Sequence, residues 1–332
     1  MYNMYNSCIN ILNSKYRLNI KSLTLVRNGY LLTTSKEKFL LRETVGNVNR
    51  IWFVHNVKNY LTNNGFYNHD YYLCTDSGEP YINIDGKYYI VARYIEGRKC
   101  DFESADDVRR ASNLLARMHL ASVGYTQKDT GCESDELGKL PFIFNKRLRE
   151  LKRMEKIASR RKGDFDYLFL EYCNYFYEIG KEALEYVSSP IYDKLVEETR
   201  RLGSICHNDL TNNNIIMTDK EEFLINFDYC SYDLKVYDLA NLIRRRMRKC
   251  NWDVHEAKII TDEYRRVNEL TVEDFYVMKI ILQFPQKFWR VANRYYNSRK
   301  GWVQRVLIDK LKEAVSEIDC HRKFLEDYEI II

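Results

Sequence analysis

The sequence contains few of the residues that interrupt regular structure. It has four prolines and thirteen glycines in 332 residues. Because proline and glycine mark turns and end helices, their scarcity indicates few turns and abundant helix. The length is too great for one ordinary core and sufficient for two. Hydrophobic residues at 45% and charged residues at 30% are typical of a globular protein.

The nine cysteines include no Cys-x-x-Cys pair. Zinc sites and disulfide frameworks in small proteins use closely spaced cysteines, so this scatter supports neither. It is typical of reduced thiols in a cytoplasmic compartment.

A strong charge and a long apolar run are also missing. The net charge of +5 is modest for this length, and nucleic-acid binders concentrate basic residues far more. Residues 1–20 lack the basic head and apolar run of a signal peptide, and no stretch has the length needed to span a bilayer. We therefore expect an intracellular protein with neither nucleic acid nor membrane as a partner.

Short β patterns and one helical pattern fill the first 96 residues. A helical period covers 48–61 and ends before Asn63-Asn64-Gly65. The Asp85-Gly86 pair predicts a hairpin turn. The predicted strands are 22–26, 30–33, 38–42, 71–74, 81–84 and 87–94.

Long helical patterns follow from residue 97, interrupted by a strand-rich hairpin at 204–228. The sequence therefore predicts an α+β protein with a small β-rich N-lobe (1–96) and a large helical C-lobe (97–332). That order is the outline of a two-lobed protein-kinase-like fold.

The interrupting hairpin carries a pattern suited to phosphoryl transfer. It contains His207-Asn208-Asp209, then Asn214, and later Asn226-Phe227-Asp228. Phosphoryl transfer needs a carboxylate to orient the attacking hydroxyl and oxygen ligands for Mg²⁺. Asp209 is the candidate base, and the amide oxygen of Asn214 is a candidate Mg²⁺ ligand. His207 is expected to hold the loop through hydrogen bonds to backbone.

These residues resemble the choline-kinase and aminoglycoside-phosphotransferase superfamily, and most closely the spore-coat kinase-like proteins of the CotS type. The resemblance covers roughly residues 20–325. It also includes the hinge-like segment 93–98, the helical segment 111–119, and the segments 227–230, 236–240 and 284–289.

The resemblance implies ATP and Mg²⁺ if the protein is active, and otherwise no cofactor. Its expected nucleotide-site residues are Arg42, Glu96, Asn214, Asn226 and Asp228, and Asn214 and Asp228 would hold the metal. Asp238 would support the catalytic loop, although a helix N-cap explains that residue equally well.

Three positions depart from the family pattern. Asn226 stands where a metal-binding Asp is expected, and Asp228, two residues on, would replace it only if the backbone shifted. Arg42 replaces the phosphate-binding Lys of the third strand, a change of reach and geometry. No acidic residue lies between Glu43 and Asp70 to orient that cation, and the helix carries Lys58 instead.

Two features outside the loop are less specific. The basic run at 244–249 is interpreted as a solvated helix face, with a site for phosphate or an acidic partner as the alternative. Lys287, Arg290 and Arg294 share one face of a later helix and would suit an anionic substrate.

Together these features favour a degenerate, pseudokinase-like spore-coat protein with a structural or assembly role in sporulation. Its partners would be other coat proteins, and its location the mother-cell cytoplasm followed by the coat. The alternatives are an active phosphotransferase on a hydroxyl of a small molecule or protein, with Asp209 as base, and a sensor that binds ATP without metal.

Overall fold

The N-terminal part of the chain folds into an antiparallel sheet with two helices. The computed structural model describes residues 2–44, 46–126, 135–297 and 304–332. In chain order, the first elements are α1 (Tyr2–Tyr16), β1 (Ser22–Val26), β2 (Gly29–Thr33), β3 (Lys38–Glu43), α2 (Val48–Asn63), β4 (Ile82–Ile84), β5 (Lys87–Arg93) and β6 (Arg98–Lys99).

The five-stranded sheet has the order β1-β2-β3-β5-β4. Strand β3 therefore lies between β2 and β5, and its Arg42 is opposite Ile90. Gly29, at the start of β2, has a φ of +147°, and an added Cβ would lie 2.2 Å from the carbonyl oxygen of Leu41. Glycine is required at this turn because the backbone of β3 passes so close to it.

The predicted hairpin and helix are both present. Asp85 and Gly86 have φ values of 52° and 79°, as a tight two-residue hairpin turn requires. Helix α2 begins after Asn47, whose side chain accepts the N–H of Arg50 at 3.0 Å. It ends at Asn63, two residues beyond the predicted end.

The predicted strand at 71–74 is replaced by a single bridge between Tyr72 and Ala92. Two segments, β4 and the segment that contains Tyr72, pair with the same edge of β5. Its first residues pair with β4, and its last residues bond to the segment of Tyr72 through Leu73 N–H to Val91 O at 2.8 Å. The segment is therefore sheet-bound but too short to form a strand.

Helix α1, which the sequence patterns did not predict, covers one face of the sheet. Its Leu12 and Tyr16 are buried together with Leu32, Leu41 and Val91. Burying these apolar side chains removes them from water, which is the main stabilising contribution to a small sheet.

The chain divides into two units. The first comprises Met1–Asp101, Leu114–Asp135 and Gly203–Ser231, and the second comprises Phe102–Asn113, Glu136–Leu202 and Tyr232–Ile332. The loop segment therefore groups with the N-terminal sheet. The further elements of the first unit are the C-terminal part of α3 (Ala105–Ser122), β7 (Ile205–Cys206), β8 (Ile215–Met217), β9 (Glu222–Leu224), a 3₁₀ turn (Phe227–Tyr229) and the start of β10 (Ser231–Tyr232).

The strands of the first unit's second sheet position the loop. Strands β6, β8 and β9 form a three-stranded sheet in that order. Ile215 pairs with Leu224 across β8 and β9. The loop 207–214 therefore leads directly into β8, and Asn226 lies two residues after the end of β9.

The second unit is helical. Stacked aromatic rings form part of its core, including Phe169 with Phe288 and Phe144 with Phe284. Its complete helices are α4 (Leu140–Ala158), α5 (Asp164–Val187), α6 (Pro190–Leu202), α7 (Lys235–Met247), α8 (Val254–Arg265), α9 (Val272–Gln283), α10 (Gln286–Asn297), α11 (Gln304–Ser316) and α12 (Ile318–Glu326), followed by a 3₁₀ turn (Asp327–Ile331). None of the helices in the described part of the chain is both long and apolar enough to cross a membrane.

Candidate active site

His207 fixes the start of the loop. Its ring is fully buried, Nε2 donates to the carbonyl oxygen of Ile225 at 3.0 Å, and Nδ1 accepts the N–H of Asp209 at 3.2 Å. The ring packs edge-on against Phe227 at a centroid distance of 4.7 Å. Because one nitrogen donates and the other accepts, the neutral imidazole satisfies both bonds.

Asp209, Asn214 and Asn226 form a chain of side-chain hydrogen bonds. Asn214 Nδ2 donates to Asp209 Oδ2 at 2.7 Å and to the Asp209 carbonyl oxygen at 2.8 Å. Asn226 Nδ2 donates to Asn214 Oδ1 at 2.8 Å. The amide oxygen of Asn214, which would be its metal-ligating atom, therefore accepts a hydrogen bond from the residue that replaces the expected Asp.

Two asparagines in this region adopt the left-handed conformation. Asn208 and Asn226 both have φ values of 62°, which asparagine tolerates better than most residues. Asn208 Nδ2 donates to Ser231 Oγ at 2.7 Å, so Asn208 also secures the loop.

Arg42 and Asp228 form a bidentate ion pair. The distances are 2.7 Å from Nη1 to Oδ2 and 2.6 Å from Nη2 to Oδ1, and the hydroxyl of Tyr72 donates to Oδ1 at 3.3 Å. Burial alone would raise the pKa of Asp228, but the Arg42 charge and hydrogen bonds hold that pKa below its ordinary value. Both carboxylate oxygens are therefore engaged.

Arg50 of α2 holds the backbone next to this pair. Its Nε and Nη2 donate to the Asp228 carbonyl oxygen at 2.9 and 2.7 Å, and Nη2 also donates to the carbonyl oxygen of Cys230 at 2.6 Å. Helix α2 thus contributes a cation that fixes the backbone on both sides of Tyr229.

Lys58 of the same helix is a second buried cation, and sequence reasoning missed its role. Its Nζ donates to Asp70 Oδ1 at 2.7 Å and to the Asp70 carbonyl oxygen at 2.6 Å, and the side chain is 1% exposed. Asp70 Oδ2 accepts the N–H of Asn226 at 3.2 Å. The available signal was a lysine on the apolar face of an amphipathic helix, four residues after Val54 and three before Leu61.

Burial also perturbs protonation at this site. It lowers the pKa of Lys58, against the opposing effect of Asp70. Burial and the positive charge of Lys58 together lower the pKa of His69 to about 4.

In the described part of the chain Glu96 is not a member of this network, and Asp238 belongs to the helical unit. Glu96 is exposed and accepts from Lys38 Nζ at 2.5 Å. Asp238 is buried in the first turn of α7 in the helical unit, but it is not the N-cap, because α7 begins at Lys235 after Leu234. The N-cap interpretation is therefore wrong, and the loop-supporting role stays a prediction.

The donor set as arranged does not fit Mg²⁺. This ion prefers hard oxygen ligands, with carboxylates foremost among protein donors. At the described site, Asp228 is bound by Arg42 through both oxygens, and Asp70 is bound by Lys58 and by the N–H of Asn226. Asp209 Oδ2 accepts from Asn214.

Comparison with solved structures defines the class of fold. The chain matches an aminoglycoside phosphotransferase from Alicyclobacillus acidocaldarius with a TM-score of 0.85 and 23% identity, over 95% of this chain and 93% of that one. It matches the spectinomycin phosphotransferase APH(9)-Ia, solved with ADP and spectinomycin, with a TM-score of 0.65 and 12% identity over 96% and 98%. The predicted α+β, protein-kinase-like fold is confirmed.

The family follows from sequence. The chain belongs to the family described as spore coat putative kinase YutH, whose model matches residues 9–328. It is 26% identical to spore coat protein S of Bacillus subtilis over 255 residues, 76% of this chain and 73% of that protein. The predicted resemblance to spore-coat kinase-like proteins is confirmed.

Proposed function

We propose that this protein is a degenerate, pseudokinase-like member of its family with a structural or assembly role in the spore coat. The observation that carries the proposal is the engagement of the site's carboxylates by cations and amides of the chain itself. Asp228 is bound at 2.6 and 2.7 Å by Arg42, and Asn226 offers an amide where a carboxylate would face the metal.

The charges of this site are arranged unfavourably for phosphoryl transfer. Transition-state stabilisation in phosphoryl transfer is mainly electrostatic. To use Asp228 as a metal ligand, the protein would have to break its bidentate bond to Arg42, and bonds to charged groups contribute roughly 1.5–3 kcal/mol. A few kcal/mol lost from the transition state lowers a rate by orders of magnitude. Slow or absent turnover is the expected result.

One observation favours a second candidate, an ATP- and Mg²⁺-dependent phosphotransferase acting on a hydroxyl. Asp209 and Asn214 keep the residue types and spacing of a working catalytic loop, and they bond at 2.7 Å. In that case Asp209 would accept the substrate proton. A third candidate, a sensor that binds nucleotide without metal, would need neither Asn226 nor Asp228 as a ligand.

The proposed location and partners rest on relatives. Spore coat protein S is by its name a coat protein, and we propose that this chain is made in the mother-cell cytoplasm and deposited in the coat against other coat proteins.

The test is a thermal-shift titration with ATP, with and without Mg²⁺, on the wild type and Asn226→Asp. We expect no Mg²⁺-dependent stabilisation of the wild type at nucleotide concentrations on the order of 1 mM. Asn226→Asp should gain it, because a carboxylate then faces the Asn214 amide. Asn213→Asp is the matched control, since it adds the same charge to an exposed position of the loop.

The outcomes separate the three candidates. Mg²⁺-dependent stabilisation of the wild type, with phosphoryl transfer that Asp209→Ala abolishes, would establish the enzyme and overturn the degenerate interpretation. Stabilisation by ATP alone would favour the sensor. Equal responses of Asn226→Asp and Asn213→Asp would show that position 226 is not the cause of the lost metal binding.

A further inference from the structure

Four arginines of the helical unit converge from three helices. The basic run at 244–249 was interpreted as a solvated face, and for Arg244 and Arg246 this is wrong, since each is only 7% exposed. The four converging residues are Arg147 of α4, Arg244 and Arg248 at the C-terminal end of α7, and Arg290 of α10.

Gln286, the first residue of α10, connects the members of this cluster. Arg147 Nη1 donates to Gln286 Oε1 at 2.5 Å. Gln286 lines a cavity of about 40 Å³ together with Arg244 and Arg248. Arg290 lies four residues after Gln286 and therefore on the same face of α10. Arg147 and Arg290 therefore lie beside the cavity that Arg244 and Arg248 line, and the charges of Arg147, Arg248 and Arg290 all act on Arg244.

The bonds of Arg244 and Arg147 go to neutral groups. Arg244 donates to Asn241 Oδ1 at 2.9 Å and to the carbonyl oxygen of Ile281. Arg147, besides its bond to Gln286, lies over the ring of Trp289 at 4.5 Å. The nearby Glu150 accepts from Trp289 Nε1 at 2.8 Å, so it acts on Arg147 only through space.

Arg290 and Arg248 are also poorly compensated. Within the described residues, Arg290 makes neither a hydrogen bond nor an ion pair. Arg248 reaches Glu317 only at 4.0 Å, and its buried Nε has no hydrogen-bond partner in the described part of the chain. Glu317 is bound more closely by Lys287, at 2.6 Å.

Arg246, on the same helix, is also buried, but a carboxylate and two carbonyl oxygens bind its guanidinium group. It bonds to Glu256 at 3.0 Å and to the carbonyl oxygens of Phe102 and Glu103 at 3.2 and 2.6 Å. Burial alone therefore does not explain why the other four arginines lack closely bound carboxylates in the described part of the chain. What distinguishes the four, in the described part of the chain, is a position at or beside one cavity and the lack of a closely bound carboxylate.

The positive charges of these arginines lower one another's pKa values. Burial, and then the charge of Arg248, lower the pKa of Arg244 to about 9. Burial lowers the pKa of Arg248 to about 10, with Glu317 opposing and Arg290 adding to the effect. Buried charges of one sign are costly without a counter-ion, so a bound anion would relieve both effects.

We propose that Arg147, Arg244, Arg248 and Arg290 form a binding site for a small phosphate-type oxyanion. Guanidinium groups match the geometry of such an anion through paired N–H donors. The cavity of about 40 Å³ that Arg244 and Arg248 line has room for roughly three waters, which matches one phosphoryl-sized group. The site goes beyond the proposed coat role and does not depend on whether the loop at Asp209 is active.

The experiment measures binding of inorganic phosphate by isothermal titration calorimetry and thermal shift, against sodium chloride at equal ionic strength. Arg290→Gln and Arg248→Gln should each raise the dissociation constant at least about tenfold, since each removes charged hydrogen-bond donors. Lys249→Gln is the matched control. It removes the same charge from an exposed position at the end of α7 that pairs with Glu103, and it should change the constant less than about twofold.

A second readout separates binding from a merely structural role. Without phosphate, Arg290→Gln should melt at the same temperature as the wild type or higher, because it relieves repulsion. With saturating phosphate it should melt lower. A structural arginine would destabilise the protein under both conditions.

One further ligand, O-phosphoserine, identifies the source of the anion. O-phosphoserine that competes as well as inorganic phosphate would indicate a phosphate group carried on another molecule, and exclusion of phosphoserine would indicate the free ion. Either result supports the site. The proposal is overturned if phosphate stabilises the wild type no more than chloride does, or if both arginine variants bind phosphate as tightly as the wild type.

Discussion

The loop 207–214 and the ion pairs of the neighbouring sheet and helix differ in how far they depart from a working kinase. The loop keeps His207, Asp209 and Asn214, joined by hydrogen bonds of 2.7–3.2 Å. The ion pairs differ from the family pattern, because Arg42 binds Asp228 and Lys58 binds Asp70. A helix that should provide an acid provides cations.

If the protein is degenerate, as proposed above, this difference illustrates how a catalytic centre can become a structural one. In an active centre, charges are held for the substrate and metal. Here the charges neutralise each other. Asn226 connects the loop to the ion pairs, because its backbone N–H donates to Asp70 and its side-chain Nδ2 donates to Asn214. We therefore expect the ion pairs to matter more for stability than the loop residues.

The largest expected effect comes from breaking the buried Lys58–Asp70 pair. Lys58→Ala leaves a carboxylate buried without its partner, which should lower the free energy of unfolding by about 3–5 kcal/mol. Urea unfolding at pH 7 measures this. Lys87→Ala, which breaks the exposed pair with Glu43, is the control and should hardly shift the midpoint. Equal midpoints for the two variants would contradict a stabilising role for the buried pair.

A smaller effect is expected from Asp228→Asn. It removes the charge that Arg42 binds through two hydrogen bonds, and the expected loss is about 2–3 kcal/mol. A double-mutant cycle with Arg42→Met should show that the two changes are not additive, because they remove the same interaction. Glu43→Gln is the exposed control on the same strand. Additive effects would mean that the ion pair contributes little.

The third effect is a pH dependence caused by His69. Its pKa is about 4 in the folded protein against an ordinary value of 6.5, so the unfolded chain binds more protons between these values. Stability should therefore fall as the pH is lowered from 7 to 5, by about 2 kcal/mol from this residue. His69→Gln should remove that part of the slope in urea unfolding at a series of pH values. An unchanged slope would assign the pH dependence to other groups.

The smallest effect is expected from the loop. Asp209→Asn keeps an acceptor for Asn214 and the bond from Asn214 to the backbone, so the loss should be about 0.5–1 kcal/mol or less. The same urea unfolding measures it. A loss as large as that of Asp228→Asn would mean that the loop is as important for stability as the ion pairs, and the contrast between the two regions would disappear.

Local patterns predicted much of the fold. The strands of the sheet, the hairpin at Asp85-Gly86 and helix α2 followed from alternation, turn chemistry and helical period. The segment at 71–74 did not form a strand, because β5 divides its edge between two partners. Helix α1 was missed, since its apolar residues gain their role only by packing on the sheet.

The sequence indicated which residues lie in the candidate site, but not which of them bind one another. The sequence located His207, Asp209, Asn214 and the substitution at Asn226, because these lie within one short segment of regular spacing. It did not predict that Arg42 binds Asp228, 186 residues away, or that Lys58 finds a partner in Asp70. Spacing along the chain carries no information about such pairs.

The sequence by itself determined the family, the order of elements and the residue types available for chemistry. Only the tertiary structure decided which charges meet. It paired Lys58 and Asp228 with partners of opposite sign. It also brought four arginines from three helices to or beside one cavity, with no closely bound carboxylate among the described residues. The physical reason is that secondary structure depends on neighbours a few residues apart, whereas the energy of a buried charge depends on what the folded chain brings within hydrogen-bonding distance.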